Sequence, residues 1–85
     1  MTFYTVGDPS VYDPIIEKNG SIIKLGKQDD YIGGIVFFDI KEATKSSVST
    51  GYSIYILETS MDNIYQIEDS YHLKTSCLIR KKYAT

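Results

Sequence analysis

The stretch Gly33–Ala43 constrains the fold of this chain more than any other segment. Ile35–Phe38 contains no polar residue, which is typical of a strand covered on both faces, so we expect a central strand here. Asp39 follows and can cap a helix, and Glu42 three residues later completes an acidic variant of the capping box. A buried strand that leads directly into a capped helix favours a fold that mixes strands and helices.

The other segments predict further strands and short helices along the chain. Strands are expected at Thr2–Val6, Ser21–Leu25, Tyr52–Leu57 and Ser76–Lys81, and helices at Asp13–Gly20 and Ile40–Ser47. In the first helix Asp13 is the expected N-cap, Pro14 the first helical residue and Gly20 the end. Gly26–Gly34 is expected to be a polar loop and Met61–Asn63 a turn, whereas Ile64–Ile67 fits a strand or a helix.

These elements indicate an α+β fold class. We expect a single small domain over residues 1–85, with a mixed or antiparallel sheet of about four to five strands and two short helices. The helix between Ile35–Phe38 and Tyr52–Leu57 fits either a βαβ-like unit or an α+β core. A core of 85 residues is marginally stable, so association with a partner or a second copy is an open alternative.

Composition and the cysteine content bound the cellular setting. Hydrophobic residues make up 42% and charged residues 24% of the chain, as in folded soluble domains. Cys77 is the only cysteine, which excludes an intrachain disulfide and favours a structural thiol in a reducing compartment. The first residues lack the basic and apolar regions of a secretory signal, and the apolar runs are too short to span a membrane. We therefore expect a cytoplasmic protein.

No residue set predicts catalysis, a metal site or a cofactor. His72 is the only histidine, and without a neighbouring nucleophile it is expected to be a surface or capping residue. The aspartates fit no calcium-binding loop, so solvated loop positions are expected for Asp8, Asp13, Asp29 and Asp30. The glycines match no phosphate-binding pattern and are expected to serve turns.

Charge is segregated near the end of the chain. Residues 58–69 hold four acids and no base, whereas residues 70–85 hold four bases and no acid. The bases are expected to contact phosphates or an acidic partner, with Tyr83 available for stacking. The predicted partner-binding or RNA-binding residues are Lys24, Lys27, Lys74, Arg80, Lys81, Lys82 and Tyr83. The acidic pI of 5.2 disfavours a dedicated nucleic-acid-binding protein, so RNA is expected only as an additional ligand.

The first half of the chain resembles small ADP-ribosyltransferase-like folds. The resemblance lies in Tyr4-Thr5-Val6-Gly7, a short helix ending at Gly20, the strand of Gly34–Phe38 and the pair Glu42-Ala43. It implies a minimal or inactive domain that binds a nucleotide or NAD. The first strand lacks the His or Arg with which the family holds the cofactor ribose, and Glu58 or Glu68 would be the catalytic candidates.

The whole chain resembles small accessory proteins of T-even-like phages. The resemblance lies in its bias towards isoleucine, lysine, tyrosine, aspartate and asparagine, with Tyr12-Asp13-Pro14 and Gly33-Gly34 as landmarks. Many of these proteins inhibit host enzymes or defence systems, and some counter the ribonuclease toxin of a type III toxin–antitoxin system. The resemblance implies a non-enzymatic inhibitor that binds a host or toxin protein, with RNA in the complex. The alternatives are the nucleotide-binding domain and a homodimeric structural subunit that pairs edge strands.

Overall fold

A computed structural model describes the backbone of residues 2–19, 22–23, 27–28, 31–32, 35–74 and 77–83, and the side chains of residues 2–14, 35–74 and 82–83. The elements are β1 Thr2–Gly7, α1 Pro9–Asn19, β2 Ile22–Ile23, β3 Lys27–Gln28, β4 Tyr31–Ile32, β5 Ile35–Val36, α2 Ile40–Thr50, β6 Ser53–Glu58, a 3-10 turn Met61–Asn63, β7 Ile64–Ile67, β8 Ser70–Leu73 and β9 Cys77–Lys82. Two helices and five strands of four or more residues confirm the α+β class. Neither described helix is long and apolar enough to cross a membrane.

The main strands form two antiparallel sheets that β1 joins. One sheet has the order β1-β6-β9-β2 and the other the order β5-β8-β7. On its other side β1 pairs with Phe37, just after β5: the Tyr4 N–H donates to the Phe37 carbonyl at 2.9 Å, and the Phe37 N–H donates back at 2.8 Å. Because β1 is antiparallel to both β5 and β6, these two strands run parallel, with β1 inserted between them and α2 connecting them.

The hydrophobic core lies between β1, β6 and the β5–β8 pair. Its buried members are Phe3, Tyr12, Val36, Tyr55, Leu57 and Leu73. From α1 the Tyr12 ring meets the Tyr55 ring edge to face, with centroids 5.1 Å apart. The buried Thr5 hydroxyl donates to the Ile35 carbonyl at 2.8 Å, which satisfies a polar group inside the core and ties β1 to β5.

Local signals set both ends of α2. The Lys41 N–H donates to the Asp39 side chain at 2.9 Å, which confirms the predicted N-cap. Gly51 ends the helix in the left-handed conformation at φ 78°, and its N–H donates to the Ser47 carbonyl at 2.8 Å. The helix continues past the predicted end at Ser47 because Thr50 donates its hydroxyl to the carbonyl four residues earlier instead of breaking the helix.

The helix α1 begins earlier than predicted. Asp8, not Asp13, caps it: the Ser10 N–H donates to the Asp8 carboxylate at 2.9 Å, and Pro9 is the first helical residue. Pro14 lies inside the helix, where it lacks the N–H that would bond the carbonyl four residues back. The predicted end at Gly20 lies outside the described residues.

The strand predicted at Ile35–Phe38 is shorter and less covered than expected. Its central position is confirmed, because β5 lies between β8 and β1. Val36 is 2% exposed, but Ile35 is 42% and Phe38 is 41% exposed, so the expectation that both faces are covered is wrong. The chain bends at Phe38 to bring Asp39 to the start of α2, and this bend takes the phenylalanine out of the sheet.

The remaining strands differ modestly from the predictions. Gly26–Gly34 is not simply a loop, because the backbone of Lys27–Gln28 pairs with Tyr31–Ile32 as a short hairpin. Ile64–Ile67 is a strand, which settles the helix alternative. The strands predicted at Tyr52–Leu57 and Ser76–Lys81 are each displaced by one residue.

Candidate functional site

A cleft of about 240 Å³ opens where β5 runs into α2, opposite the turn between β7 and β8. We call it the acidic aromatic cleft. It is lined by Ile35, Val36, Phe37, Phe38, Asp39, Glu42, Asp69, Ser70 and Tyr71. These residues come from two separate segments of the chain, 35–42 and 69–71, which the pairing of β5 with β8 brings together.

Phe38 is the exposed aromatic residue of the cleft. Its ring contacts the buried Phe3 ring, with centroids 5.3 Å apart, and the Tyr71 ring, with centroids 4.6 Å apart, both edge to face. The side chain is nevertheless 41% exposed. A large apolar ring that is held in place and still exposed can bury further area on binding without a large loss of side-chain entropy.

Three carboxylates line the cleft together with the aromatic residues: Asp39, Glu42 and Asp69. Asp39 caps α2, and Glu42 makes an exposed ion pair with Lys45 at 3.4 Å. Exposed ion pairs of this kind contribute little to the stability of a protein. In the described part of the chain Asp69 makes no ion pair. The cleft therefore has an excess of negative charge and is complementary to a cationic group.

The backbone of the β7–β8 turn places Asp69 at the cleft. Val36 and Tyr71 are direct partners across β5 and β8, so the turn that precedes β8 lies near the bend at Phe38. Glu68 adopts a positive φ of 53°, and the Gln66 side-chain amide donates to its carbonyl at 2.9 Å. This short turn holds Asp69 on a defined backbone instead of a mobile loop.

Among the predicted binding residues, Lys82 is already engaged in an intramolecular contact. Its ammonium group donates to one oxygen of the Asp13 carboxylate at 2.9 Å, and the Tyr55 hydroxyl donates to the other oxygen at 2.7 Å. Tyr55 and Lys82 are direct cross-strand partners, so β6 and β9 both contact α1 through one carboxylate. Lys82 is half-exposed, but much of its charge is balanced within the molecule.

Tyr83 and Lys74 lie in different surroundings. The Tyr83 N–H donates to the Ile54 carbonyl at 2.8 Å, and its ring meets the Tyr4 ring edge to face at 6.0 Å. Lys74 is exposed, and its N–H donates to the Asn63 carbonyl at 2.8 Å. Within the described residues, no hydrogen bond or ion pair joins Lys74 to Lys82 or Tyr83.

The other predicted basic residues are described only by their backbone or not at all. Lys27 lies in β3, and Arg80 and Lys81 lie in β9. Lys81 pairs with Ile56 and Ile79 with Leu57, so Arg80 is the extra residue of a β-bulge. Lys24 and the side chains of Lys27, Arg80 and Lys81 lie outside the described residues, and the predicted basic binding site stays a prediction.

The carboxylate of Asp13 makes the stability of the protein dependent on pH. The Tyr55 hydrogen bond and then the Lys82 hydrogen bond hold the pKa of Asp13 below its ordinary value of 3.8, while burial and the Asp13 contact raise the pKa of Tyr55. Asp13 therefore stabilises the fold above its unfolded pKa, and this contribution is lost as pH falls through the lower folded pKa. We expect Asp13→Asn to lower the urea midpoint at about pH 7 and to lower it by less at about pH 3, where part of this contribution is already lost.

The exposed Asp62 provides the control for this prediction. Asp62→Asn removes a carboxylate of the same type and should leave the free energy of unfolding within about 0.5 kcal/mol of wild type at both pH values. Equal losses for Asp13→Asn at low and neutral pH would show that the contact with Tyr55 and Lys82 does not depend on the carboxylate charge.

Two predictions about individual polar residues are wrong. His72 is not at the surface: it is 6% exposed in β8, the central strand of its sheet, and its ring lies 5.8 Å from that of Tyr65. Asp8 and Asp13 are not solvated loop residues but a helix cap and a tertiary contact. Asp29, Asp30 and the Cys77 thiol lie outside the described residues.

Two further candidates are a metal site and the glutamates Glu58 and Glu68, which the resemblance to ADP-ribosyltransferase-like folds would make catalytic. Across the parts of the chain that the structure describes, no group of three His, Cys, Asp or Glu side chains could hold a metal ion. Glu58 is exposed at the end of β6, whereas Glu68 is exposed in the β7–β8 turn, and neither lines the acidic aromatic cleft.

The sequence does contain one signal for the cleft that charge patterns do not reveal. Phe38 directly precedes the N-cap Asp39, a position whose apolar side chain often packs against the fourth helical residue. That residue is Ala43, which is fully buried and too small to cover a phenyl ring. An exposed Phe38 therefore follows from the spacing.

No protein-family model, no curated protein and no solved structure matches this chain.

Proposed function

We propose that this protein is a non-enzymatic binding protein that inhibits a host defence factor, namely the ribonuclease toxin of a toxin–antitoxin system, and that it contacts this target through the acidic aromatic cleft. The supporting observation is Phe38, a fixed ring that is 41% exposed beside three carboxylates. Aromatic anchors of this kind dominate the energetics of many protein interfaces.

Charge complementarity favours a nucleic-acid-processing enzyme as the target. A ribonuclease must hold the phosphates of its substrate, so its substrate-binding surface is basic. An acidic surface on the inhibitor is attracted to that face and competes with RNA for it. Asp39, Glu42 and Asp69 supply the negative charge, and Phe38 supplies the apolar contact that makes the encounter specific.

RNA has a proposed place in the complex beside the basic strand β9. Tyr83, which directly follows β9, is half-buried, with a ring that is available in part for stacking, and Arg80 and Lys81 lie in β9. Lys82 contributes less than its charge suggests, because Asp13 already binds it. RNA is an additional ligand in this proposal, and the protein target is the main one.

We expect Phe38→Ala to weaken inhibition of RNA cleavage by a purified type III toxin by about 30-fold, the effect of losing a central aromatic anchor worth about 2 kcal/mol. The measurement is the inhibition constant from cleavage of a labelled RNA. Val48→Ala is the matched control, since Val48 is 80% exposed on α2 outside the cleft, and it should inhibit like wild type.

Capture of the tagged protein from host cells, with and without ribonuclease treatment, extends this test to other defence factors. A captured protein that survives ribonuclease treatment and is lost with Phe38→Ala supports the proposal. Wild-type protein that neither inhibits the toxin nor captures a defence factor contradicts the proposal. Equal inhibition by wild type and Phe38→Ala would show that the cleft is not the surface that contacts the target.

A further inference from the structure

We infer that the acidic aromatic cleft binds an arginine side chain of the partner protein, an inference that rests on the proposed function only for the identity of that partner. The cleft combines exposed aromatic surface with carboxylates in its lining, and its volume is about 240 Å³. Each of these features corresponds to one part of an arginine side chain: the apolar stem, the planar guanidinium and its positive charge.

The aromatic part of the cleft is a corner formed by two rings. The planes of Phe38 and Tyr71 are inclined by 72°, with centroids 4.6 Å apart. A planar cation entering this corner can lie on the face of one ring while its stem contacts Ile35, which is 42% exposed. Cation–π contacts of this kind are made more often by arginine than by lysine.

The carboxylates lie where hydrogen bonds to a guanidinium can form. Asp39 uses Oδ1 to cap α2, and no donor among the described residues binds its Oδ2. Asp69 lines the same cleft from the β7–β8 turn and makes no ion pair in the described part of the chain. A guanidinium has five N–H donors in a fixed plane, so it can bind carboxylates from both chain segments, whereas a lysine ammonium is a compact point charge.

A bare metal ion is a poorer match to the same residues. The three carboxylates belong to the N-cap of α2, its first turn and the β7–β8 turn, and within the described residues no three such groups converge closely enough to ligate one ion. A divalent cation needs several oxygen ligands at short range, and it makes no use of the exposed ring and aliphatic surface. An extended planar cation uses both the charge and the apolar lining.

The test is titration of the full-length, isotope-labelled protein with three capped tripeptides, Gly-Arg-Gly, Gly-Lys-Gly and Gly-citrulline-Gly, followed by amide chemical shifts. Citrulline has the shape of arginine without its charge. We expect saturable shifts confined to residues 35–42 and 69–71, with affinity in the order arginine, lysine, citrulline and a loss of at least about tenfold from arginine to citrulline. Binding of the arginine peptide should also weaken with added salt.

Variants then separate this inference from the proposed function. Asp69→Asn should weaken the arginine peptide by about fivefold, and the control Asp62→Asn should not change it. Equal binding of arginine and citrulline, or shifts outside the cleft, would overturn the arginine site. If the toxin is inhibited by wild type and Asp69→Asn alike, the arginine site fails and the proposed function stands. If the arginine peptide binds as expected but no toxin or defence factor is bound, the proposed function fails and the arginine site stands.

Discussion

Gly7→Ala is expected to destabilise the protein by about 3 kcal/mol, at the upper end of the usual cost of overpacking a core. A Cβ atom at this position would lie within 2.7 Å of three atoms of the Tyr12 ring. That ring cannot easily withdraw, because it packs edge to face on the buried Tyr55. A domain of this size has roughly 4–13 kcal/mol of stability, so the loss should be plain in the urea midpoint.

Gly51→Ala and a double variant serve as controls for this prediction. Gly51 has a left-handed backbone but no atom within 4 Å of an added Cβ, so Gly51→Ala should cost only about 1 kcal/mol of backbone strain. In Gly7→Ala with Tyr12→Ala, the two losses should sum to more than the loss measured for the double variant, because the second change removes the overlap. Additive losses would show that the Tyr12 ring does not exclude the alanine.

Phe3→Ala should have an effect at least as large, a loss of about 3–5 kcal/mol. Phe3 is 1% exposed in β1, the strand that joins the two sheets, and it also supports the Phe38 ring. Removing it leaves a cavity in the core and withdraws the contact that orients the exposed anchor. Both thermal and urea unfolding should record the loss, with a fall in Tm of more than about 10 °C.

A milder substitution separates the two roles of Phe3. Phe3→Leu keeps most of the buried volume, so its cost in stability should be less than about 1.5 kcal/mol. It nevertheless removes the edge-to-face contact with Phe38, and toxin inhibition should weaken more than stability alone explains. The exposed Val48→Ala should change neither property. A Phe3→Ala loss below about 1 kcal/mol would contradict the core assignment.

The sequence was most informative where structure depends on neighbouring residues. The N-cap Asp39 was predictable, because a cap is decided within a few residues, whereas the predicted end of α2 at Ser47 fell three residues short of the observed end at Thr50. The strands at β1, β6 and β9 were also found within one residue, since runs of β-forming residues mark them.

Prediction failed where two local patterns were equivalent. Asp8-Pro9 and Asp13-Pro14 carry the same signal for a helix start, and α1 uses the first of them. The choice depends on contacts distant in sequence: Asp13 accepts hydrogen bonds from Tyr55 and Lys82, which belong to β6 and β9. His72 was misplaced for a similar reason, because only the sheet order shows that β8 is central.

The cleft could not be assembled from the sequence because its parts are far apart along the chain. Asp39 and Asp69 are separated by thirty positions, and only the pairing of β5 with β8 brings their segments together. The segregated charges of residues 58–85 predicted a binding site at the basic end of the chain instead. In the structure Asp69, an acidic residue of this segment, lines the same cleft as the aromatic residues Phe38 and Tyr71.

The insertion of β1 between β5 and β6 also dictates the order in which the chain can assemble on the ribosome. Thr2 pairs with Glu58, so the first strand leaves the exit tunnel long before its partner exists. The helix α2 depends on nearby residues and can form before β6 has emerged, whereas closure of the two sheets waits for distant pairing. Until β6 has emerged, the edge of β1 that later pairs with β6 stays open, and a stalled or truncated nascent chain would be prone to aggregate through it.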